Sequence, residues 1–119
     1  MSYNPQRERR YYKQPHARAQ RRLSARLRYY TLRAWVCTVL GNQCVLCGCV
    51  EPMLLTVDHI AGGGRKHHRA CYDQNSFYRE LLQDGRLEHK YRLLCIACNW
   101  LAYRFNDHTV KRMMRKAYR

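Results

Sequence analysis

Acidic residues are scarce in this chain: eight Asp and Glu stand against 23 Lys and Arg, leaving a formal net charge of +15 on 119 residues. So lopsided a balance excludes a surface that neutralises itself with ion pairs and argues for a polyanionic partner. Long apolar runs are also missing. Nothing approaches the ~18 residues of a membrane span, and Met1 to Arg10 has no apolar signal-type core. No broad apolar face suits a bilayer surface either. The chain is therefore expected to be soluble and intracellular, with nucleic acid rather than membrane as its partner. Proline is rare, and no internal repeat is visible.

Cysteine, by contrast, is plentiful. There are seven, an odd number, and four of them form two close pairs, Cys44-Val45-Leu46-Cys47 and Cys95-Ile96-Ala97-Cys98. Paired Cys-x-x-Cys knuckles suit one structural, tetrahedral Zn²⁺ better than a disulfide framework. A motif-bearing segment of about 60 residues would be marginal on its own core, and a structural metal is a usual remedy at that size. Cys49 is a competing ligand in the tight Cys47-Gly48-Cys49, while Cys37 and Cys71 read as buried or free thiols. Between the knuckles lies Asp58-His59, and Asn99 follows the second knuckle directly.

These residues resemble the HNH endonucleases, the zinc-stapled branch of the ββα-metal nucleases. The matching stretches are Cys-Val-Leu-Cys-Gly (44–48), Leu-Thr-Val-Asp-His-Ile (55–60), Gly-Gly-Gly (62–64) and Leu-Leu-Cys-Ile-Ala-Cys-Asn (93–99). Compact phage-type members carry a Gly-rich segment and a Phe-Tyr-Arg helix after Asp-His, and here Gly62 to Arg69 and Phe77-Tyr78-Arg79-Glu80-Leu81 stand in those places. Where the family usually has its middle Asn, this chain has Lys90. Where it often has Lys-Gly after the last motif residue, this chain reads Trp100-Leu101-Ala102-Tyr103-Arg104. The resemblance covers residues 44–105 and hardly touches the ends.

It implies an α+β fold, a small zinc-stapled ββα-metal core with basic helical extensions at both ends. It also implies a metal-dependent endonuclease of phage or mobile-element homing type, which would act in a host cytoplasm. Phosphodiester hydrolysis needs an activated water, a charge sink and help for the leaving oxygen. His59 is the expected general base, since an ordinary pKa of ~6.5 leaves much of it neutral at pH 7. Asp58 and the Asn99 side-chain oxygen are expected to hold Mg²⁺ or Mn²⁺, leaving positions open for water and phosphate. His67, His68, Arg65 and Arg104 are candidates for phosphate or further metal contacts. His67 and His68 read equally well as exposed loop histidines, and Asn99 as a simple helix cap.

Charge divides the chain into an N-terminal arm and helix (1–40), the nuclease core (41–105) and a C-terminal basic helix (106–119). Residues 1–38 carry +9, 39–105 carry +2 and 106–119 carry +4. Residues 1–15, with Pro5 and Pro15, are expected to be irregular without a partner. A helix is predicted from about Arg18 to Gly41, burying Leu23, Leu27, Tyr30, Ala34 and Cys37, with Arg22, Arg26 and Arg33 on the opposite face along phosphates. A β-hairpin delivers Asp58 and His59, and Ala61–Arg65 is a flexible loop. Asn75 or Ser76 caps a helix to Leu82, and another helix starts near Asn99. Asp107 or Thr109 caps the last one, with Val110, Met113, Met114 and Ala117 on its apolar side and Lys111, Arg112 and Arg115 facing DNA. Two rival functions accompany the nuclease reading: a catalytically idle zinc module that binds nucleic acid, and a nuclease subunit dependent on a partner complex.

Overall fold

Helix begins almost at once. In the computed structural model, which describes residues 2–118, the Asn4 side-chain oxygen accepts the N–H groups of Gln6 and Arg7. Pro5 opens α1 (Pro5–Tyr12), where its missing N–H costs nothing and its fixed φ already suits a helix. The expectation of an irregular arm is therefore corrected. Pro15 likewise starts α2 (Pro15–Val39) instead of breaking one. That helix ends as expected at Gly41. With φ +96 at Gly41, the N–H groups of Asn42 and Gly41 return to the carbonyls of Cys37 and Thr38, closing the last turn in a Schellman motif.

The buried stripe of α2 is not the predicted one. Leu23, Leu27 and Tyr30 are 58%, 69% and 52% exposed. Ala34 is exposed as well, and Cys37 alone of the predicted stripe is buried; the other covered positions in the C-terminal half of α2 are Tyr29, Leu32, Arg33 and Val36, with Leu40 at its C-cap. Apart from α1 near its start, α2 packs chiefly on α4 (Gln74–Gln83), so periodicity alone pointed to a face that no described element covers.

The sheet has two antiparallel strands, β1 (Leu55–His59) and β2 (Tyr91–Cys95), pairing Leu55 with Cys95 and His59 with Tyr91. The expected local hairpin is thus a long-range pairing. Between the strands lie α3 (Gly64–Ala70), α4 and the single turn α5 (Leu87–Lys90). The glycine tract is half turn and half helix, since Gly64 and Arg65 already belong to α3. After β2 come α6 (Ile96–Ala102) and α7 (Asp107–Ala117). Asp73 caps α4 through the Ser76 N–H, and Asn106 caps α7 through the Thr109 N–H. Both capping expectations were therefore displaced, each by an Asx residue lying upstream. Asp107 was freed for an ion pair.

Two apolar clusters hold the fold. One joins Cys37, Leu55, Leu93, Leu94, Val110 and Met114 with the knuckle cysteines. The other joins Val36, Phe77, Tyr78, Leu81 and Leu87. Leu40 and Val57 touch both. The end of α2 and, through Val110 and Met114, α7 therefore share the core, whereas Met113, 37% exposed, and Ala117 do not, contrary to expectation. Among the described residues, no helix is long and apolar enough to cross a membrane.

Candidate functional site

The first knuckle is a tight turn. Gly48 N–H returns to the Cys44 carbonyl and Cys44 N–H to that of Cys49, while Val45 N–H reaches the Leu93 carbonyl of β2. These bonds bring Cys44 and Cys47 to Cys95, the last residue of β2, and to Cys98 in the first turn of α6. The four Sγ atoms lie within 4.8 Å of one another, with Cys47 and Cys95 at 3.6 Å. Tetrahedral Zn–S bonds of ~2.3 Å give edges of about 3.8 Å, so these four could hold a metal such as zinc. Cys49 stays outside the group.

Crowding separates the thiols' acidities. Burial pushes Cys44 up, but backbone N–H groups of Cys95, Cys47 and Leu46 outweigh it and bring the thiol down to about 7. Burial raises Cys47 to about 11, and burial with three neighbouring sulfurs drives Cys98 higher still. Four thiolates cannot gather here without a cation.

At the other end of the sheet, a cleft of about 690 Å³ opens between β1, the start of α3 and α6. Asp58, His59 and Asn99 all line it, together with Arg65, His68 and Arg104. The Thr56 hydroxyl donates to the Leu94 carbonyl at 2.7 Å, so its oxygen must accept from Asn99, whose Nδ2 lies 3.0 Å away. That bond orients the amide and leaves Oδ1 without a partner among the described residues. Asn99 is thus a positioned oxygen donor as well as a helix residue.

Asp58 is not free. Arg92 stands opposite it in the strand register and donates Nε to Oδ2 at 2.8 Å, while its outer nitrogens grip Asp107. Both carboxylates hold the guanidinium's proton more tightly than usual, with Asp107 the larger contributor. Only Oδ1 of Asp58 is left unpaired among the described residues. Sequence reasoning missed Arg92 because its role depends on register, which no local pattern reveals.

His59 is half-buried. Its Nε2 lies 2.8 Å from His67 Nδ1, and His67 Nε2 lies 2.9 Å from Glu80 Oε1. Tyr91 and Phe77 pack against the ring, and Gly64 sits so close that a Cβ there would fall 2.9 Å from His59 Nδ1. Burial first, then the charges of His67 and His68, lower the His59 pKa below its ordinary value, and Asp58 opposes them weakly. Of the two candidates for a phosphate or further metal contact, His67 does not line the cleft and backs His59 instead, whereas His68 reaches the cleft and stacks on Phe77 at 4.0 Å. Glu80, given no role by the sequence beyond its place in the Phe77–Leu81 motif, is the end of this row.

Arg104 lies over the Trp100 ring at 3.8 Å, and Trp100 and Tyr103 line the same cleft while exposed. Arg22, Arg26, Lys111, Arg112 and Arg115 are exposed, as nucleic-acid contacts require. Arg33 is a correction. It donates to the carbonyls of Pro52 and Leu55, tying α2 to the start of β1, and is committed to the fold. Lys90 pairs with Asp84 at 2.7 Å, while its carbonyl takes the N–H of Ile60, the residue after His59. That backbone bond ties the residue after β1 to the one before β2. Compared with protein-family models, curated proteins and solved structures, the chain matches none.

Proposed function

We propose that this chain is a divalent-metal-dependent nuclease that hydrolyses DNA phosphodiester bonds, as the HNH enzymes its motifs resemble do. Zn²⁺ on Cys44, Cys47, Cys95 and Cys98 would staple the core. The observation that carries the reading is convergence: Asp58 and His59 on β1 and Asn99 on α6 open onto one cleft edged by Arg65 and Arg104. The donor set fits Mg²⁺ or Mn²⁺, since the unpaired oxygens of Asp58 and Asn99 are hard ligands and two of them leave most of an octahedron open. Such an ion supplies Lewis acidity and leaving-group stabilisation. The rest falls to the protein. His59, kept neutral by its surroundings, takes the proton of the attacking water. Arg65 and Arg104 hold the phosphate, and the exposed arginines of α2 and basic residues of α7 hold the flanking backbone without reading sequence.

A second reading rests on Arg92. Its grip on Asp58 occupies one carboxylate oxygen and neutralises the charge a cation needs, which favours an idle nucleic-acid-binding module or a subunit switched on by a partner complex. A supercoiled-plasmid nicking assay with Mg²⁺ decides between them, comparing the wild-type chain with His59→Ala at matched zinc content. Nicking by the wild type and a loss of roughly 10²–10⁴-fold in the variant, with DNA binding kept, is expected. If both bind DNA and neither cuts it, the nuclease reading of the isolated chain fails.

A further inference from the structure

We infer that His67, Cys71 and Glu80 form a second cation site, suited to Zn²⁺ or Co²⁺ and distinct from both the four-cysteine cluster and the Asp58–Asn99 cleft. His67 and Cys71 are four residues apart, on α3 and its C-cap, so they lie on one side of that helix. Glu80 comes from α4 and faces them. Their donor atoms all lie within 4.8 Å of one another: His67 Nε2 is 2.9 Å from Glu80 Oε1, and Cys71 Sγ is 3.4 Å from Oε2. A tetrahedral zinc with nitrogen and oxygen at ~2.0–2.1 Å and sulfur at ~2.3 Å needs edges of about 3.3–3.6 Å. The Cys71–Glu80 contact is close to such an edge, the His67–Glu80 contact is about 0.4 Å shorter than one, and the His67 and Cys71 donor atoms lie within 4.8 Å, so small rotamer adjustments would bring all three to one ion.

The chemistry of the set selects the ion. One thiolate and one carboxylate cancel a divalent charge, and a neutral imidazole adds a nitrogen donor. Mg²⁺ prefers oxygen ligands in an octahedron, whereas imidazole and thiolate favour zinc and its analogues. The two ends of His67 are also divided: Nδ1 meets His59, and Nε2 belongs to the cluster. Packing holds the imidazole in place, for Phe77 lies 5.0 Å from its ring centre and is almost wholly buried. Glu80 is exposed, which leaves a fourth position open to water and lets the ion enter and leave. The Cys71 N–H closes α3 on the His67 carbonyl, but the side-chain bonds among the three residues cap no helix and close no strand. Their convergence is a ligand set more than a fold requirement.

The test uses this 119-residue chain loaded with one equivalent of zinc, enough for the four-cysteine cluster alone, with no DNA present. Co²⁺ is titrated in, and the near-ultraviolet thiolate-to-cobalt band is followed for the wild type, Cys71→Ser and Glu80→Gln, with each variant's melting midpoint as the folding control. The wild type should develop a band of about one thiolate's intensity. Cys71→Ser should lose it, and Glu80→Gln should need at least about tenfold more cobalt. No band in the wild type overturns the site, as does a band that survives Cys71→Ser, which would mean exchange into the four-cysteine cluster. Because no nucleic acid is involved, the result stands apart from the outcome of the nicking assay.

Discussion

The two ends of one short sheet are built in opposite ways. At the Leu55–Cys95 end, four sulfurs meet in a buried cluster tied by backbone bonds from both knuckles. Along β1 from Thr56 to the His59–Tyr91 end, a carboxylate, an amide and imidazoles meet at an open cleft, held mainly by side-chain partners such as Thr56, Arg92 and His67. Strands of five residues separate them by only about 13 Å. The comparison teaches a division of labour: identical donors with backbone ties suit a staple, whereas varied donors on adjustable side chains leave a cleft open.

The sharpest way to break this contrast is to attack the sulfur end. Cys95→Ala should abolish the cooperative thermal transition, because apparent zinc binding of ~10–16 kcal/mol is folding free energy in small metal-stapled domains. A Cys95→Ala chain that melts like the wild type would remove the four-cysteine staple. Next in size is the wall of the cleft. Phe77 is almost completely buried and packs on His59, His67 and His68. Phe77→Ala should cost ~3–5 kcal/mol in denaturant unfolding.

Acidity sharpens the comparison from the other side. Burial and the neighbouring histidines lower the His59 pKa, so its neutral form, the one the proposed base requires, persists to a lower pH than an ordinary imidazole of ~6.5 allows. Nicking should hold from pH 8 to 6.5 and then fall, approaching tenfold per unit once the pH is well below the lowered pKa. A chemistry-limited rate that stays level down to pH 5 removes His59 as the base. The smallest effect belongs to α2. Leu23→Ala, on the uncovered face, should leave stability within about ±0.5 kcal/mol, and a larger loss would place a neighbour there.

What the sequence revealed follows from how local each cause was. The knuckles, the strand carrying Asp58 and His59, the end of α2 at Gly41 and the apolar contacts of Val110 and Met114 were legible, since spacing and composition within a few residues specify them. The partner of β1, the covered face of α2 and the tie made by Arg33 were not. Each depends on which distant segment arrives: β2 from beyond three helices, α4 against one part of α2, the Pro52 and Leu55 carbonyls within reach of a guanidinium. Asn4, Asp73 and Asn106 could have been found, as each is an Asx residue just upstream of a helix.

The contact between His59 and His67 has a consequence for where protons sit. Glu80, kept acidic chiefly by the Cys71 thiol and then by His67, accepts only, so His67 Nε2 carries the hydrogen. A neutral His67 then has a bare Nδ1, and the 2.8 Å contact obliges His59 Nε2 to donate. The lone pair of His59 is left on Nδ1, the edge beside Gly64. An exposed carboxylate thus sets, two rings away, which imidazole edge is basic. A cation on His67 Nε2 would reverse the alternation, putting the hydrogen on His59 Nδ1. The row behaves as a one-bit register written at Glu80 and read at the cleft.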